Sequence, residues 1–207
     1  MTKTRRTFLL VGIVIVVLVA VWLMVARNCP SAGFAFTTRA RNLHRLKNRT
    51  AFPLAADFDS RITLDELLRP GDDSNRWAIE RAARVQGHVI DVAYAKVEAT
   101  NCYSPCRRDI HIVVANRKDA PQSEQVIVEV TPNLRPVFES GATKQAIDWS
   151  DQDLKERILG HWCEFEGWLY FDVGHAEESE NTAPHKPTNW RATAWEIHPV
   201  TKIRVVR

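Results

Sequence analysis

The stretch Val85-Gln-Gly-His-Val-Ile-Asp-Val-Ala-Tyr-Ala-Lys-Val-Glu98 decides the fold predicted for this chain of 207 residues. It is rich in β-branched residues and predicts a long strand with Gly87 near its start. Asp109–Val114 predicts a second strand and Gln125–Val130 a third, which Thr131-Pro132 ends. Three strands therefore come before any further helical pattern.

A helix and two more strands are predicted after the third strand. The helix is capped by Ser150 and ends at Gly160, and its inward side chains are Leu154, Ile158 and Leu159. The fourth strand covers Trp162–Val173, with one face formed by Cys163, Phe165, Leu169 and Phe171. The last strand covers Trp195–Val206, and Pro199 within it indicates an edge or a bulge.

The order β-β-β-α-β-β, with a glycine in a long first strand, resembles the OB-fold, a five-stranded barrel. We therefore expect a mainly β protein with an OB-like barrel. An open α+β sheet with the helix on one face is the alternative.

Residues 7–26 contain no charged side chain, and as a helix they would reach about 30 Å, the thickness of a bilayer's hydrocarbon core. They predict an N-terminal transmembrane helix and a single-pass protein of the cell membrane. A cleaved signal peptide is one alternative. A twin-arginine export signal is another, because Arg5 and Arg6 precede the apolar run.

The chain divides into five predicted segments. These are a basic tail (1–6), the transmembrane helix (7–26), a basic linker (27–62), short helices (63–84) and the OB-like domain (85–207). Within 63–84, Thr63-Leu-Asp-Glu66 forms a capping box before a helix at Leu64–Leu68, and Ser74–Arg84 predicts a second helix.

Charge is unevenly distributed along the chain. Residues 1–50 hold nine Lys and Arg and no acidic residue, which leaves 19 basic against 25 acidic residues in the remainder. An acidic domain is a poor general binder of nucleic acid. Positive charge close to the apolar run, at Arg5 and Arg6, favours a cytoplasmic N-terminus and an extracytoplasmic domain. The basic linker is either a flexible tether or a contact to anionic lipid headgroups.

The cysteines are Cys29, Cys102, Cys106 and Cys163. Cys102 and Cys106 have the spacing of a small disulfide loop in an oxidising compartment. Cys163 lies in a strand pattern and is expected to be buried.

Pairs of carboxylate and imidazole side chains stand two residues apart on the predicted strands. The candidate catalytic residues are Asp109, His111, Glu129, Glu196 and His198. Such pairs can bind a divalent metal ion, for which the candidate ligands are His111, Glu129, His175 and His198. No other cofactor is predicted. A metal-free general base, a buried polar network and ordinary surface residues are the alternatives.

A second group of candidates comprises Trp168, Tyr170, Arg191 and Trp195. Aromatic rings on an exposed sheet face stack on flat ligands in OB-like folds, so these four are candidate ligand-binding residues. The alternatives are core packing for the aromatic residues and a salt bridge for Arg191.

The stretches Trp195-Glu-Ile-His-Pro199 and Gly167–Asp172, together with His175, are similar to a family of bacterial proteins of unassigned activity. The resemblance covers residues 85–206. It implies a bacterial source and an OB-like body, and it brings no mechanism.

We therefore expect a membrane-anchored envelope protein that binds a ligand, either an envelope polysaccharide or a protein, without catalysis. The absence of Gly-x-Ser-x-Gly, phosphate-loop and His-Glu-x-x-His motifs supports this expectation. The alternative is a metal-dependent hydrolase that uses the candidate catalytic residues on a phosphoester. A cytoplasmic nucleic-acid binder is a third, less favoured hypothesis.

Overall fold

A computed structural model of the protein describes residues 3–136, 149 and 151–206. Among these residues there are five strands, namely β1 (Ala82–Tyr94), β2 (Ile110–Ala115), β3 (Val126–Val130), β4 (Trp162–Phe171) and β5 (Trp195–Val205). They close into one barrel in the order β1-β2-β3-β5-β4. The predicted mainly β barrel is confirmed, and its strand order is consistent with an OB-like fold.

Four α-helices have both ends among the described residues, namely α1 (Lys3–Arg27), α2 (Thr38–Lys47), α3 (Leu64–Leu68) and α4 (Asp151–Ile158). α4 lies between β3 and β4, where a helix was predicted. Its predicted cap, Ser150, lies outside the described residues. Leu154 and Ile158 are buried, but Leu159 is 37% exposed because the helix ends before it.

Strand β1 belongs to two parts of the barrel. Residues 82–88 pair with β4 and residues 88–94 pair with β2, with a shift in register between Val89 and Asp91. Gly87 stands near this change of partner. A Cβ there would lie 2.4 Å from Val114 Cγ1 and 2.7 Å from Leu64 Cδ2, so the glycine lets α3 pack closely against the barrel.

The barrel interior is filled by side chains that alternate along the strands. Its buried members include Val85, Val89, Ile112, Val128, Phe165, Leu169, Ile197 and Ile203. The predicted inner face of β4 is confirmed, because Cys163, Phe165 and Leu169 are buried in this core and Phe171 packs against it. The apolar interior stabilises the closed sheet and supports the polar residues at one end of the barrel.

The predicted irregularity at Pro199 is confirmed. The register between β4 and β5 shifts on both sides of Gly167, and the His198–Pro199 peptide bond is cis. A Cβ on Gly167 would lie 2.4 Å from the Pro199 carbonyl oxygen, so only glycine allows this close approach.

The helix predicted over Ser74–Arg84 is wrong. These residues form turns, and β1 already begins at Ala82. The Arg76 guanidinium donates to the carbonyl oxygens of Arg69 and Gly71, which closes the preceding loop instead of allowing a helix.

The linker predicted over residues 27–62 is partly structured. Thr37 caps α2 by accepting a hydrogen bond from the Ala40 amide at 3.1 Å. Asn48 follows the helix and is buried, where its amide donates to the carbonyl oxygens of Ser31 and Thr100 at 3.1 and 3.0 Å. These bonds hold residues 31–48 against the turn at 99–101.

The predicted disulfide between Cys102 and Cys106 is wrong. Cys102 is bonded to Cys29, 73 residues away, and Cys106 is a free, exposed cysteine. The contact between segments 31–48 and 99–101 brings Cys29 to Cys102. Cys163 is a free, buried cysteine, as predicted.

Helix α1 spans the apolar segment. Among the described residues, no helix is long and apolar enough to cross a membrane. The transmembrane helix over residues 7–26 therefore stays a prediction from the sequence.

Candidate functional site

Strand pairing brings the predicted polar residues together at one end of the barrel. His111 on β2 is directly opposite Glu129 on β3. Val128 is opposite Ile197 on β5, so the next residues along, Glu129 and His198, are also neighbours. Asp109 directly precedes β2. We call Asp109, His111, Glu129, Arg191, Glu196 and His198 the inner cluster.

Glu129 bridges two imidazole rings in the inner cluster. Its Oε1 lies 3.0 Å from His111 Nε2, and its Oε2 lies 3.1 Å from His198 Nδ1. The same His198 nitrogen is 3.3 Å from Glu196 Oε2. His198 Nδ1 thus faces two carboxylates, and the Tyr170 and His198 rings pack edge to face with their centres 5.8 Å apart.

Arg191 neutralises Glu196. Its Nη2 donates to Glu196 Oε1 at 2.6 Å, and both side chains are fully buried. The guanidinium carbon lies 4.7 Å from the centre of the Trp190 ring, which provides a cation–π contact. Of the two interpretations of Arg191, the contacts therefore correspond to the salt bridge.

Asp109 closes the other side of the inner cluster. Its Oδ2 accepts a hydrogen bond from the Asn101 amide at 2.6 Å, and its Oδ1 is 4.0 Å from His198 Nε2. The cluster is therefore continuous from the turn at 99–101 to β5.

Burial and pairing set the protonation of the inner cluster. Desolvation raises the pKa of Asp109 to about 6. Burial also acts to raise the pKa of Glu129, but the His111 and His198 rings outweigh it and hold that pKa well below its usual range. Burial acts to lower the pKa of His111, yet Glu129 raises it to about 9. His111 is therefore a cation at neutral pH, bound to the Glu129 carboxylate.

A second group, which we call the outer cluster, comprises Lys47, Asp172 and His175. Lys47 Nζ lies 2.8 Å from Asp172 Oδ2, and His175 Nδ1 lies 3.2 Å from the same oxygen. Lys47 also lies 3.7 Å from Glu98 Oε2. Asp172 is thus held by two cationic groups from different parts of the chain.

The outer cluster keeps its charges. Burial disfavours the Lys47 ammonium, but Glu129 and Asp172 outweigh this effect and raise the Lys47 pKa well above its ordinary value. The hydrogen bond to Asp172 is the largest effect on His175 and raises its pKa. Burial opposes ionisation of Asp172, but His175 and Lys47 hold its pKa far below the usual range.

An open cleft of about 350 Å³ lies over the outer cluster. It runs between α2 and the 3₁₀ turn Val173–Glu178. Its polar lining includes His44, Lys47, Glu98, Tyr170, Asp172 and His175. The outer cluster therefore faces the cleft, whereas the inner cluster lies behind it.

Two groups of donor atoms have the geometry for a metal ion. One comes from Asp109, Glu129 and His198, and the other from Asp172, His175 and Glu196; within each group the atoms lie within 4.8 Å of one another. In the second group the Lys47 ammonium already forms a salt bridge with the Asp172 carboxylate. A cation there would have to compete with it.

The candidate ligand-binding aromatic residues do not form an exposed face. Trp195 is buried and donates its indole N–H to the Asp73 carbonyl at 2.7 Å. Trp168 donates to the Ala51 carbonyl at 2.8 Å, and the Arg49 guanidinium covers its ring. Tyr170 is buried at the base of the cleft. Core packing, the alternative considered for these residues, accounts for Trp195.

Sequence reasoning missed Lys47, Glu98 and Asn101. Lys47 was placed in a linker, although Ala40, Leu43, His44 and Lys47 have the spacing of one helix face, and all four line the cleft. Glu98 and Asn101 flank a short 3₁₀ turn that carries no periodic signal.

No protein-family model matches this chain, and no curated protein is similar to it in sequence. The resemblance to a bacterial family therefore stays a prediction.

Proposed function

We propose that this chain is a single-pass membrane protein of the bacterial envelope whose OB-like barrel binds a saccharide unit of an envelope polysaccharide, without catalysis. The open cleft over the outer cluster is the observation that carries this proposal. Its volume of about 350 Å³ lies within the range typical of small-ligand sites.

The composition of the cleft supports a polar, uncharged ligand. Cationic Lys47 and His175 stand beside anionic Asp172 and Glu98, so neither sign of charge dominates. These groups can donate to and accept from hydroxyl groups, and Leu43 and Val173 add an apolar surface. Oligosaccharides are a known class of ligand for OB-like folds.

Anchoring is supported by the apolar segment 7–26. α1 covers this segment, and its described apolar side chains are exposed, with Leu10 at 62%, Val16 at 68% and Met24 at 69%. Apolar side chains around a helix are costly in water and favourable in lipid. The bond between Cys29 and Cys102 supports an oxidising compartment, outside the cytoplasm.

Two measurements on the full chain test the anchor. A C-terminal alkaline phosphatase fusion should be active, because that enzyme needs an oxidising compartment, and membranes should retain the protein after a carbonate wash at high pH. Release by carbonate, or an inactive fusion, would overturn the anchored, extracytoplasmic topology.

The cleft is tested by titrating the full chain in detergent micelles with chitotetraose and maltotetraose, followed by calorimetry. At least one should bind the wild type, and Val173→Glu should weaken that binding by at least ten-fold by placing a charge in the cleft. Val206→Glu is the matched control, because Val173 and Val206 are 46% and 45% exposed and Val206 does not line the cleft. No binding at millimolar concentration, or equal effects of the two variants, would contradict the proposal.

The metal-dependent hydrolase is the second candidate, and the convergence of Asp109, Glu129 and His198 favours it. Their burial opposes it, because a phosphoester would need to reach atoms that are sealed from solvent. Turnover of bis(p-nitrophenyl) phosphate with Zn²⁺ or Mn²⁺, lost in His198→Gln, would support the hydrolase against the non-catalytic proposal.

A further inference from the structure

Two buried polar atoms face each other inside the inner cluster. His198 Nε2 and Asp109 Oδ1 are 4.0 Å apart, and the two side chains are 0% and 2% exposed. Neither atom has a hydrogen-bond partner within residues 3–136, 149 and 151–206. Buried polar atoms without a partner are costly, so this gap calls for an occupant.

Neighbouring groups orient both atoms toward the gap. The Asn101 amide donates a hydrogen bond to Asp109 Oδ2, which leaves Oδ1 available. Glu129 and Glu196 lie within 3.3 Å of His198 Nδ1, so this nitrogen carries a proton and Nε2 is directed at Asp109. A carboxylate behind an imidazole is the usual arrangement around a metal-bound histidine.

The width of the gap excludes a direct hydrogen bond between the two atoms. A direct hydrogen bond needs about 2.7–3.2 Å, so 4.0 Å is too long for one. A bridging water with bonds of about 2.8 Å would need them to meet near a right angle. Two zinc–ligand bonds of about 2.0–2.2 Å meet at the tetrahedral angle when their ligand atoms are about 3.3–3.6 Å apart, so Zn²⁺ would draw the two atoms together by about 0.5 Å.

We propose that His198 Nε2 and Asp109 Oδ1 bind a divalent metal ion, and that Zn²⁺ suits these nitrogen and oxygen donors. The Asn101 amide oxygen is buried and has no hydrogen-bond partner in the described part of the chain, so it is available as a third ligand. Glu129 and Glu196 act as the carboxylates that orient His198. One nitrogen and two oxygens from the protein leave a position for water.

This site is separate from the saccharide cleft but adjacent to it. Glu98, Ala99 and Thr100 line the cleft, and Asn101, the next residue along, contacts Asp109. The ion would therefore support the wall of the cleft from behind.

Metal binding is tested on the full chain in detergent, stripped with a chelator and titrated with Zn²⁺ alone. Calorimetry and elemental analysis after dialysis should give one Zn²⁺ per chain. Asp109→Asn should weaken binding at least ten-fold, because an amide is a poorer ligand of similar shape. Asp73→Asn is the matched control, because Asp73 is also fully buried and keeps one oxygen without a partner in the described part of the chain, but it belongs to neither group of convergent donor atoms.

A second measurement needs no variant. X-ray absorption at the zinc edge of the wild type should fit one histidine nitrogen with oxygen ligands. Zero zinc per chain, a shell without a histidine nitrogen, or equal affinity in Asp109→Asn would overturn the site. Failure of saccharide binding would leave these results unchanged, so the two proposals are separable.

Discussion

The inner and outer clusters contain the same kinds of side chain but differ in access and in pairing. Asp172 in the outer cluster has two cationic partners and faces an open cleft. Asp109 in the inner cluster is sealed and keeps one oxygen without a partner among the described residues. The comparison teaches that a satisfied ion pair at the base of an open cleft suits reversible ligand binding, whereas a sealed pair of atoms without partners suits a resident ion.

Of the changes that test the difference between the two clusters, removal of the Glu129 carboxylate should lower the free energy of unfolding most. Glu129→Gln leaves two imidazole rings without their shared counterion, and we expect the free energy of unfolding to fall by about 3–5 kcal/mol. Urea unfolding of the full chain in micelles, followed by tryptophan fluorescence, measures this loss. Glu166→Gln is the control; Glu166 pairs with the exposed Arg84 and Lys202 and should cost less than about 1 kcal/mol. Equal losses in the two variants would contradict the central role of Glu129.

Breaking the disulfide should affect the outer cluster more than the inner one. Cys29→Ser opens a loop whose ends are 73 residues apart, and we expect about 2–4 kcal/mol of destabilisation. Hydrogen exchange should increase first in α2, which carries Lys47. Cys106→Ser should change neither quantity, because Cys106 is free and exposed. Exchange that increases equally in β3 would argue that the two clusters form one cooperative unit.

Lys47→Met tests the outer cluster directly. The Asp172 carboxylate would keep His175 and lose its ammonium partner, so we expect a loss of about 1–3 kcal/mol in unfolding free energy. Arg45→Met, on the exposed face of the same helix, should stay within about 0.5 kcal/mol of the wild type. Equal free energies of unfolding in the two variants would show that the buried ion pair between Lys47 and Asp172 does not stabilise the fold.

The smallest effect is expected from pH. The folded-state pKa of His175 lies above its unfolded value, so its contribution is fully present below about pH 6.5 and is lost as pH rises through the folded pKa. His175 is 28% exposed, and solvent screening keeps the change small. Unfolding at pH 6 and pH 9 should show a smaller difference in His175→Gln than in the wild type. An unchanged difference would remove His175 as its source.

Local patterns predicted the strands and the pairing of residues on one face. Asp109 with His111, and Glu196 with His198, are two residues apart, so each pair lies on one side of its strand whatever the fold. Their convergence depends on the pairing of β2 with β3 and of β3 with β5, which joins residues up to 69 positions apart at Val128 and Ile197. No local rule specifies those registers.

The missed features also depend on distant contacts. Lys47 gains its role from Asp172, far along the chain, and Cys29 finds Cys102 because the Asn48 amide joins two loops. Spacing alone favoured the nearer Cys106. The helix predicted over Ser74–Arg84 failed because Arg76 bonds to loop carbonyls, a tertiary effect that outweighs helix propensity.

The disulfide between Cys29 and Cys102 limits how far the barrel can move from α1. Only Asn28 separates the end of α1 from Cys29, so about 7 Å of chain joins the helix to this cysteine, and the disulfide spans a further 5.8 Å between Cα atoms to Cys102 in the loop between β1 and β2. If α1 is held in lipid, the ligand must be captured within one protein diameter of the headgroups. Reduction of that bond would leave the segment before α2 held to the turn at 99–101 by hydrogen bonds alone, among them the one from the Phe34 amide to the Ala99 carbonyl oxygen at 2.8 Å.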